Sequence, residues 1–375
     1  MANDLAAEYA ALGIVDVFGA DRGIVTHGDL PVTHTTDGES LSNLWREFND
    51  TLAQWNSDGI GWVGLFSTPT TDSSFISLQN VDADEFEDES EMGIPKSIRP
   101  NITPLRVGFP LKFKDAAVRY TRKYLRDATS DEVASLHNHA LTSDQRTVTN
   151  DMFRALLTKQ HRTNEKGDTV YDLWDGTSGE VPPSHAGKDF TDSHSHYLVS
   201  GAATIDGKDL GDLINTITEH GYGDTAGDRI VIIVHPDQGD TVRGFRAGVA
   251  ESPYDFIATS TIPYLTNETV VGARPPAEFQ GKPVIGQFGS ALVVETRDIP
   301  TGYVIATATG SSAPLAKREH VRPEQRGLRI IAGSESAVPI IDSYYSRGVG
   351  FGVRLRGAAA VMQITASGSY ANPSI

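Results

Sequence analysis

The chain has 375 residues, of which 39% are hydrophobic and 22% are charged, a composition typical of a globular protein and not of a disordered one. It contains no cysteine, which excludes disulfides, thiolate nucleophiles and cysteine-ligated metal sites. Its formal net charge of -17 argues against a dedicated nucleic-acid-binding protein, because affinity for nucleic acid comes mostly from basic side chains that contact phosphates. No apolar run approaches the roughly 20 residues that cross a bilayer, and the N-terminal sequence predicts no secretory signal.

The first 70 residues alternate short apolar patches with glycine, proline and threonine. We predict one helix here, over Leu41–Trp55, because apolar residues recur along it at helical spacing. No self-contained core is evident in this segment. It is typical of an arm that packs on other structure.

An extended hairpin is predicted next, from two strand-like runs at Phe75–Gln79 and Leu105–Phe113. Its polar tip carries seven acids in the ten residues 82–91, among them Asp82, Asp84, Glu85, Glu87 and Asp88. The run lacks the glycine that an EF-hand loop needs at its sixth position, which disfavours a calcium site. We therefore interpret it as a solvated loop tip.

A long helix is predicted over residues 130–160, where it would be about 45 Å long. Thr129 and Glu132 have the spacing of a capping box at its start. Apolar residues follow in steps of four, interrupted only by Asp144. Because this apolar face is thin, we expect the helix to lie across a surface and not inside a core.

An α/β segment follows, beginning with a predicted helix that ends before Gly221. Arg229–Pro236 is a continuous apolar run, typical of a buried strand, and a second helix is predicted at Gly239–Ala247. Further strands are predicted at Lys282–Gln287, Ala291–Glu295 and Tyr303–Ala308. From Leu315 the pattern indicates that the chain enters another sheet, through residues 327–332 and 339–345.

The stretch "RGVGFGVRLRG" near the end of the chain contains glycines at alternate positions, Gly348, Gly350 and Gly352. A dinucleotide-binding loop needs G-x-G-x-x-G between a strand and a helix, whereas this run continues with the period of two of a strand. Its predicted core face consists of Phe351, Val353 and Leu355. The other face is bare at the glycines and basic at Arg354 and Arg356, so we expect it to admit a neighbouring backbone.

Candidate catalytic residues are few, since the sequence has no P-loop, no G-x-S-x-G and no H-E-x-x-H. His194 and His196 would share one face of a strand and could bind a metal together with Asp192. Histidines satisfied by hydrogen bonds are the commoner alternative. His235 ends a buried strand, but the sequence places no nucleophile near it. We therefore predict a protein that is not an enzyme, with no catalytic residue, no cofactor and no metal.

The order of these elements resembles the Hong Kong 97-type major capsid proteins of tailed bacteriophages, and the resemblance covers nearly the whole chain. Four short sequence segments are also similar to those of actinobacteriophage capsid proteins, namely "YDLWDG", "DSHSHYLVSGAATID", "PLAKREH" and "RGVGFGVRLRGAAAVMQI". The resemblance implies an α+β fold with an N-terminal arm, an E-loop hairpin, a P-domain with a long spine helix, and an A-domain.

On this resemblance the chain divides into five parts. They are the arm at 1–70, the E-loop at 71–112, the P-domain at 113–204 with its spine helix at about 130–160, the A-domain at 205–315, and the P-domain return strands at 316–375. The resemblance also implies hexamers and pentamers that form an icosahedral shell around double-stranded DNA, without sequence-specific binding and without a membrane. Implied partners are the chain itself, portal and scaffolding proteins, and a decoration protein, with assembly in the host cytoplasm and a final place in the virion.

We expect contacts between subunits at two places. One is the acidic tip, with Lys96, and the other is the glycine face, where Gly350 and Gly352 would receive a neighbour's backbone and the two arginines would meet its acids. Some family members join an E-loop lysine to a P-domain asparagine. Here Lys96 and Asn372 are the candidates, but no glutamate follows Glu335, so we predict no crosslink. The start of the chain has no long helical prefix, which predicts a separate scaffolding protein.

Two alternative functions remain open at this point. One is an encapsulin-type nanocompartment shell, which has the same fold but encloses a protein cargo. The other is a metal-dependent hydrolase that uses His194, His196 and Asp192. A particle that contains protein cargo and not DNA would indicate the nanocompartment. A small oligomer in solution, and not a large assembly, would indicate the hydrolase.

Overall fold

The computed structural model of the chain describes residues 32–77, 79, 88–89, 91, 93, 105–223, 227–249, 251–259, 274–333, 339–366 and 368–375. These residues belong to two compact units. Unit 1 takes its described residues from 1–54, 115–141 and 330–346. Unit 2 takes its described residues from 55–114, 142–329 and 347–375.

The α-helices of the described residues are α1 (Leu41–Asp58), α2 (Gly61–Phe66), α3 (Arg122–Asp127), α4 (Ser130–Leu157), α5 (Gly207–Thr218) and α6 (Pro236–Arg243). The helix predicted at Leu41 is confirmed and continues to Asp58. The long helix predicted from residue 130 is also confirmed. None of the helices in this described part is both long and apolar enough to span a membrane.

The strands up to residue 258 are β1 (Ser67–Thr70), β2 (Ser74–Ser77), β3 (Leu105–Gly108), β4 (Lys112–Ala117), β5 (Arg162–Thr163), β6 (Thr169–Val170), β7 (Tyr197–Val199), β8 (Ile230–Val234) and β9 (Phe256–Ala258). The later strands are β10 (Glu278–Phe279), β11 (Lys282–Pro283), β12 (Gly286–Phe288), β13 (Ala291–Glu295), β14 (Tyr303–Ala308), β15 (Leu315–Arg318), β16 (Leu328–Ile331), β17 (Tyr344–Val353) and β18 (Ala359–Gln363). Two short 3₁₀ turns lie at Gly310–Ser312 and Pro323–Gln325.

The core of unit 1 forms around the apolar face of α1. Leu41, Leu44 and Phe48 of this helix are buried together with Tyr120, Leu125, Ala128, Val133, Ile340 and Ile341. The capping box at the start of α4 is confirmed, since the backbone N–H of Thr129 donates to Glu132 Oε2 at 2.8 Å. The hydroxyl of Thr129 in turn accepts from the N–H of Glu132 at 3.4 Å. The prediction that the first part of the chain has no core of its own and packs on other structure is therefore confirmed for α1.

The part of α4 that belongs to unit 2 contradicts the prediction of a surface helix. Val148, Met152, Phe153, Leu156 and Leu157 are completely buried there. Adjacent apolar pairs, at 152–153 and 156–157, widen the apolar stripe beyond the single row of i+4 positions that the prediction followed. This half of the helix therefore lies inside a core.

Unit 2 is built around a seven-stranded sheet with the strand order β7-β18-β14-β8-β13-β12-β9. β8 is parallel to β13 and antiparallel to β14. All five residues of β8 are buried, because alternate side chains enter two different cores. Val231 and Ile233 belong to the core that contains the end of α4, and Ile230, Ile232 and Val234 belong to the core that contains α5. The continuous apolar run of β8 is thus explained by a sheet covered on both faces.

A five-stranded sheet has the order β1-β15-β17-β16, with β4 also paired to β17. β1 and β15 are parallel, whereas β15 and β17 are antiparallel, with Arg318 opposite Gly350. The base of the predicted hairpin is confirmed as the antiparallel pair β2–β3. Most of its tip lies outside the described residues.

Three predicted boundaries are wrong. The run Leu105–Phe113 is not one strand but β3 and part of β4, which belong to different sheets and are separated by Pro110. The helix predicted at Gly239 begins at Pro236, because His235 caps it and a proline at the first helical position needs no hydrogen bond there. The predicted strand Lys282–Gln287 is divided into β11 and β12.

Candidate functional site

β17 is buried on both faces, and its glycines provide room for another part of the same chain. A Cβ atom on Gly350 would collide with the carbonyl oxygen of Pro110, and one on Gly352 would lie 2.9 Å from the carbonyl oxygen of Gly108. On Gly348 it would lie 2.5 Å from the ring of Phe113. The close backbone approach predicted from the glycines is therefore present, but the segment that fills the space is residues 108–111 of the chain itself. A contact with another subunit at this face stays a prediction.

Arg354 lies just beyond the end of β17 and binds backbone oxygens, not acids. Its Nη2 donates to the carbonyls of Ser311 at 2.6 Å and Ala313 at 3.3 Å. Burial lowers the pKa of the Arg354 guanidinium. Leu355 is only partly buried and packs against the core around α5.

Arg356 is fully buried, with 0% of its surface exposed. Its Nη1 pairs with Glu180, and its Nε donates to the carbonyl oxygen of Asp172 at 2.9 Å. The guanidinium carbon lies 4.0 Å from the centre of the Trp174 ring, a cation–π contact. The prediction that Arg356 meets the acids of another subunit is wrong, because residues of its own chain surround and neutralise it.

A buried carboxylate and a histidine complete this arginine site. Asp172 Oδ1 lies 2.8 Å from His161 Nε2 and 3.7 Å from Arg356 Nη2. Burial raises the pKa of Asp172 to about 6, although His161 and Arg356 oppose that shift. The ligand atoms of His161, Asp172 and Asp175 converge within 4.8 Å of one another. Because the guanidinium of Arg356 already supplies a cation beside Asp172, this cluster is a buried ion-pair network.

Gln79 and Asp144 are functional side chains in this region that sequence reasoning did not identify as such. Gln79 Nε2 donates to the carbonyl of Arg354 at 2.7 Å, and its Oε1 accepts from the N–H of Arg356 at 2.8 Å. Asp144 accepts two hydrogen bonds from the buried Arg347. The interruption of the α4 pattern at Asp144 was the available signal, whereas nothing in the sequence marked Gln79.

The acidic tip is largely outside the described residues, which applies to Asp82, Asp84, Glu85, Glu87 and Lys96. Asp88 is described and exposed. Its role between subunits, like that of the rest of the tip, stays a prediction.

His194 and His196 do come together, but not with Asp192. Asp192 is exposed, and the residue whose ring nitrogen joins the two histidines is His220, which follows α5. The Nε2 atom of His194 lies 3.3 Å from that of His196 and 3.0 Å from that of His220. The proposed ligand set of a hydrolase is therefore corrected to three histidines, and sequence spacing gave no sign of the third.

Comparison with solved structures finds a similar chain at substantial sequence identity. It comes from Mycobacterium phage Patience, with 32% identity, a TM-score of 0.68, and an alignment that covers 93% of this chain and 96% of that chain. No protein-family model and no curated protein matches the chain significantly.

Two further structures have TM-scores below 0.5 and are more distant. The structure described as "Capsid of empty GTA particle computed with C5 symmetry" has 17% identity and a TM-score of 0.44, with 90% of this chain and 95% of that chain covered. The structure from Gordonia phage Cozz has 14% identity and a TM-score of 0.42, with 95% and 96% covered.

Proposed function

The chain belongs to the Hong Kong 97-type major capsid proteins of tailed bacteriophages, and on that basis we propose that its copies assemble as hexamers and pentamers into an icosahedral shell enclosing double-stranded DNA. It is a capsid protein of the virion. The observation that carries the proposal is the 32% identity over 93% of the chain to the structure from Mycobacterium phage Patience. The proposed role is structural, and no catalytic step is assigned.

The charge distribution supports a shell that encloses DNA without gripping it. The net charge is -17, and three of the arginines, Arg318, Arg347 and Arg356, are buried in contact with carboxylates of the chain. Their guanidinium groups are therefore not available to phosphates. Because phosphate affinity depends on accessible cations, we expect the chain to bind DNA only weakly.

The base of the hairpin supports assembly through contacts between copies. Phe75 and Ile76 of β2 expose 50% and 62% of their surfaces, and Phe113 of β4 exposes 52%. Exposed large apolar side chains of this kind can be covered by contact with another protein chain. We propose that a second copy of the chain covers β2 in the shell.

The remaining implications of family membership are proposals as well. They comprise the five domain boundaries given above, assembly in the host cytoplasm, a scaffolding protein, a portal at one vertex, a decoration protein, and subunits that are not covalently crosslinked. Asn372, the candidate for a crosslink, uses its side-chain oxygen to accept from the N–H of Lys159 at 2.8 Å.

Electron microscopy of the full chain, produced alone and together with a scaffolding protein, tests the proposed assembly. We expect closed shells with fivefold and sixfold capsomers, or free capsomers that sediment far ahead of a monomer. Elution as a small oligomer at micromolar concentration under both conditions would refute the proposal. In particles from infected cells, nuclease-protected DNA is expected, and a protein cargo without DNA would instead identify a nanocompartment.

A matched pair of variants tests the proposed interface at β2. Ile76→Asp should prevent shell formation, because it places a charge in a contact that must lose its water, whereas Ile76→Val should assemble normally. Circular dichroism of both variants checks that the subunit remains folded. Normal shells from Ile76→Asp would exclude β2 from the interface.

A further inference from the structure

Three imidazoles from two segments of unit 2 meet at one point. His194 and His196 precede β7, and His220 follows α5. We propose that their Nε2 atoms form a binding site for a divalent transition-metal ion, with Zn²⁺ as the best match, and that the bound ion ties α5 to the edge of the seven-stranded sheet. The site is structural and goes beyond the proposed capsid function.

The distances between the nitrogens match those around a tetrahedral ion. Zn–N bonds of about 2.0–2.1 Å place two ligand nitrogens about 3.3–3.4 Å apart at a tetrahedral angle. The observed separations from His194 Nε2 are 3.3 Å to His196 Nε2 and 3.0 Å to His220 Nε2. One ring nitrogen from each of the three histidines lies within 4.8 Å of those of the other two. Small side-chain movements therefore suffice to place an ion between them.

The protonation of the cluster favours a metal over a network of hydrogen bonds. His196 Nδ1 lies 2.7 Å from the carbonyl oxygen of Ala359, so Nδ1 carries the proton and Nε2 presents a lone pair. The Nε2 atom of His194 contacts the Nε2 atoms of both His196 and His220. Without a metal, these two contacts could both be hydrogen bonds only if the single Nε2–H of His194 were shared between the two other rings. A metal ion would instead engage the lone pairs of all three rings at once.

The surroundings keep the imidazoles neutral, which is the form that binds metals. Burial, together with the neighbouring His194, Lys188 and His185, lowers the pKa of His220 to about 3. Burial also lowers the pKa values of His194 and, to a greater extent, His196. The ring of Phe190 is stacked on His220 at 4.1 Å and shields the cluster from water.

A carboxylate stands beside the open fourth position. Glu219 Oε1 lies 3.4 Å from His194 Nε2, while its other oxygen pairs with Lys188. Glu219 as the fourth ligand would complete a closed set of four protein ligands, which is the pattern of a structural zinc site. Because Phe190 covers the cluster and the exposed Asp192 takes no part, the arrangement is typical of a structural site and not of a hydrolase.

The experiment uses the full chain as DNA-free shells or capsomers, so that packaged DNA contributes no metal. The sample is stripped with a chelator, incubated with Zn²⁺ at micromolar concentration, desalted and analysed for metal content. We expect about one Zn²⁺ per chain in the wild type. We expect a drop to roughly a tenth of that in His220→Gln, which lacks one of three ligands, and no change in His139→Gln, whose histidine is exposed on α4.

A second measurement does not depend on how the variants fold. Wild-type chain loaded with Co²⁺ should show the intense visible absorption of a tetrahedral ion, and Zn²⁺ should displace it. Wild-type chain that retains no Zn²⁺, Zn²⁺ content unchanged in a folded His220→Gln, or a Co²⁺ spectrum of octahedral type would each overturn the proposal. The measurement needs only the folded chain, so its result is independent of whether shells form.

Discussion

The substitution Asp144→Asn tests whether a buried ion pair holds β17 against α4. The carboxylate of Asp144 accepts from Arg347 Nε at 2.5 Å and from Nη2 at 2.7 Å. It also accepts from the indole N–H of Trp55 at 3.0 Å. Asp144 and Arg347 are exposed by only 6% and 5%, so water cannot replace either partner.

The size of the effect follows from what the substitution leaves behind. An asparagine at position 144 has the same shape, but in either orientation its amide N–H₂ group faces a donor of the guanidinium, and in one orientation the bond from Trp55 is lost as well. Arg347 would then be a buried charge without a counter-ion, and breaking such a pair by removing one partner costs about 3–5 kcal/mol. We therefore expect Asp144→Asn to lower the free energy of unfolding by about 3–5 kcal/mol.

Urea unfolding of capsomers at one fixed chain concentration measures this change. The matched control is Asp212→Asn on α5, where Asp212 pairs with Lys208 at 3.0 Å in an exposed i,i+4 pair. That control should change the free energy of unfolding by only about 0.3–0.5 kcal/mol. The double variant Asp144→Leu with Arg347→Met should recover most of the loss, because an apolar pair leaves no buried charge. An effect of Asp144→Asn no larger than the control, or a double variant as unstable as the single one, would refute the reasoning.

Three further predictions concern β17, unit 1 and the subunit. Gly350→Ala should destabilise the chain by about 1–3 kcal/mol, because the added Cβ atom collides with the backbone of Pro110. The control Gly64→Ala should be neutral or stabilising in the same urea assay, because no atom lies within 4 Å of a Cβ atom added there. Burial lowers the pKa of His137 from its ordinary value of 6.5 to about 4, so between these two pH values the unfolded chain binds more protons than the folded chain. The stability contributed by the neutral histidine is therefore complete above pH 6.5, and up to about 3 kcal/mol of it is lost as the pH falls to about 4. In a series of urea midpoints measured against pH, His137→Gln should remove the decrease between pH 6.5 and pH 4. Denatured particles should run as single chains on a gel, and a ladder of larger species would contradict the predicted absence of crosslinks.

Local pattern predicted the elements whose formation depends on neighbouring residues. β13 and β14 have the predicted bounds, and the predicted run Arg229–Pro236 contains β8, because a sheet covered on both faces requires continuous apolar segments. The start of α4 was predicted from two side chains three residues apart, Thr129 and Glu132, which cap the helix without any distant partner.

The polar contacts of the C-terminal stretch could not be predicted in the same way. Arg356 pairs with Glu180 and donates to the carbonyl oxygen of Asp172, and Arg354 donates to the carbonyl oxygens of Ser311 and Ala313. Each of these partners is distant in sequence, and the periodicity of a strand contains no information on which segment covers its second face. The third histidine of the cluster was missed for the same reason, since His220 comes from the far end of α5.

The basic residues around the glycines have a single physical role, which explains why the stretch resembles a phosphate site without being one. A phosphate loop offers unpaired N–H groups and accessible cations to an anion. Here the three guanidinium groups at 347, 354 and 356 already donate to Asp144, to backbone carbonyls and to Glu180 of the same chain. The backbone of residues 108–111 fills the space beside Gly350 and Gly352. The stretch therefore joins distant segments of one subunit, and its three guanidinium groups are already engaged by groups of the same chain.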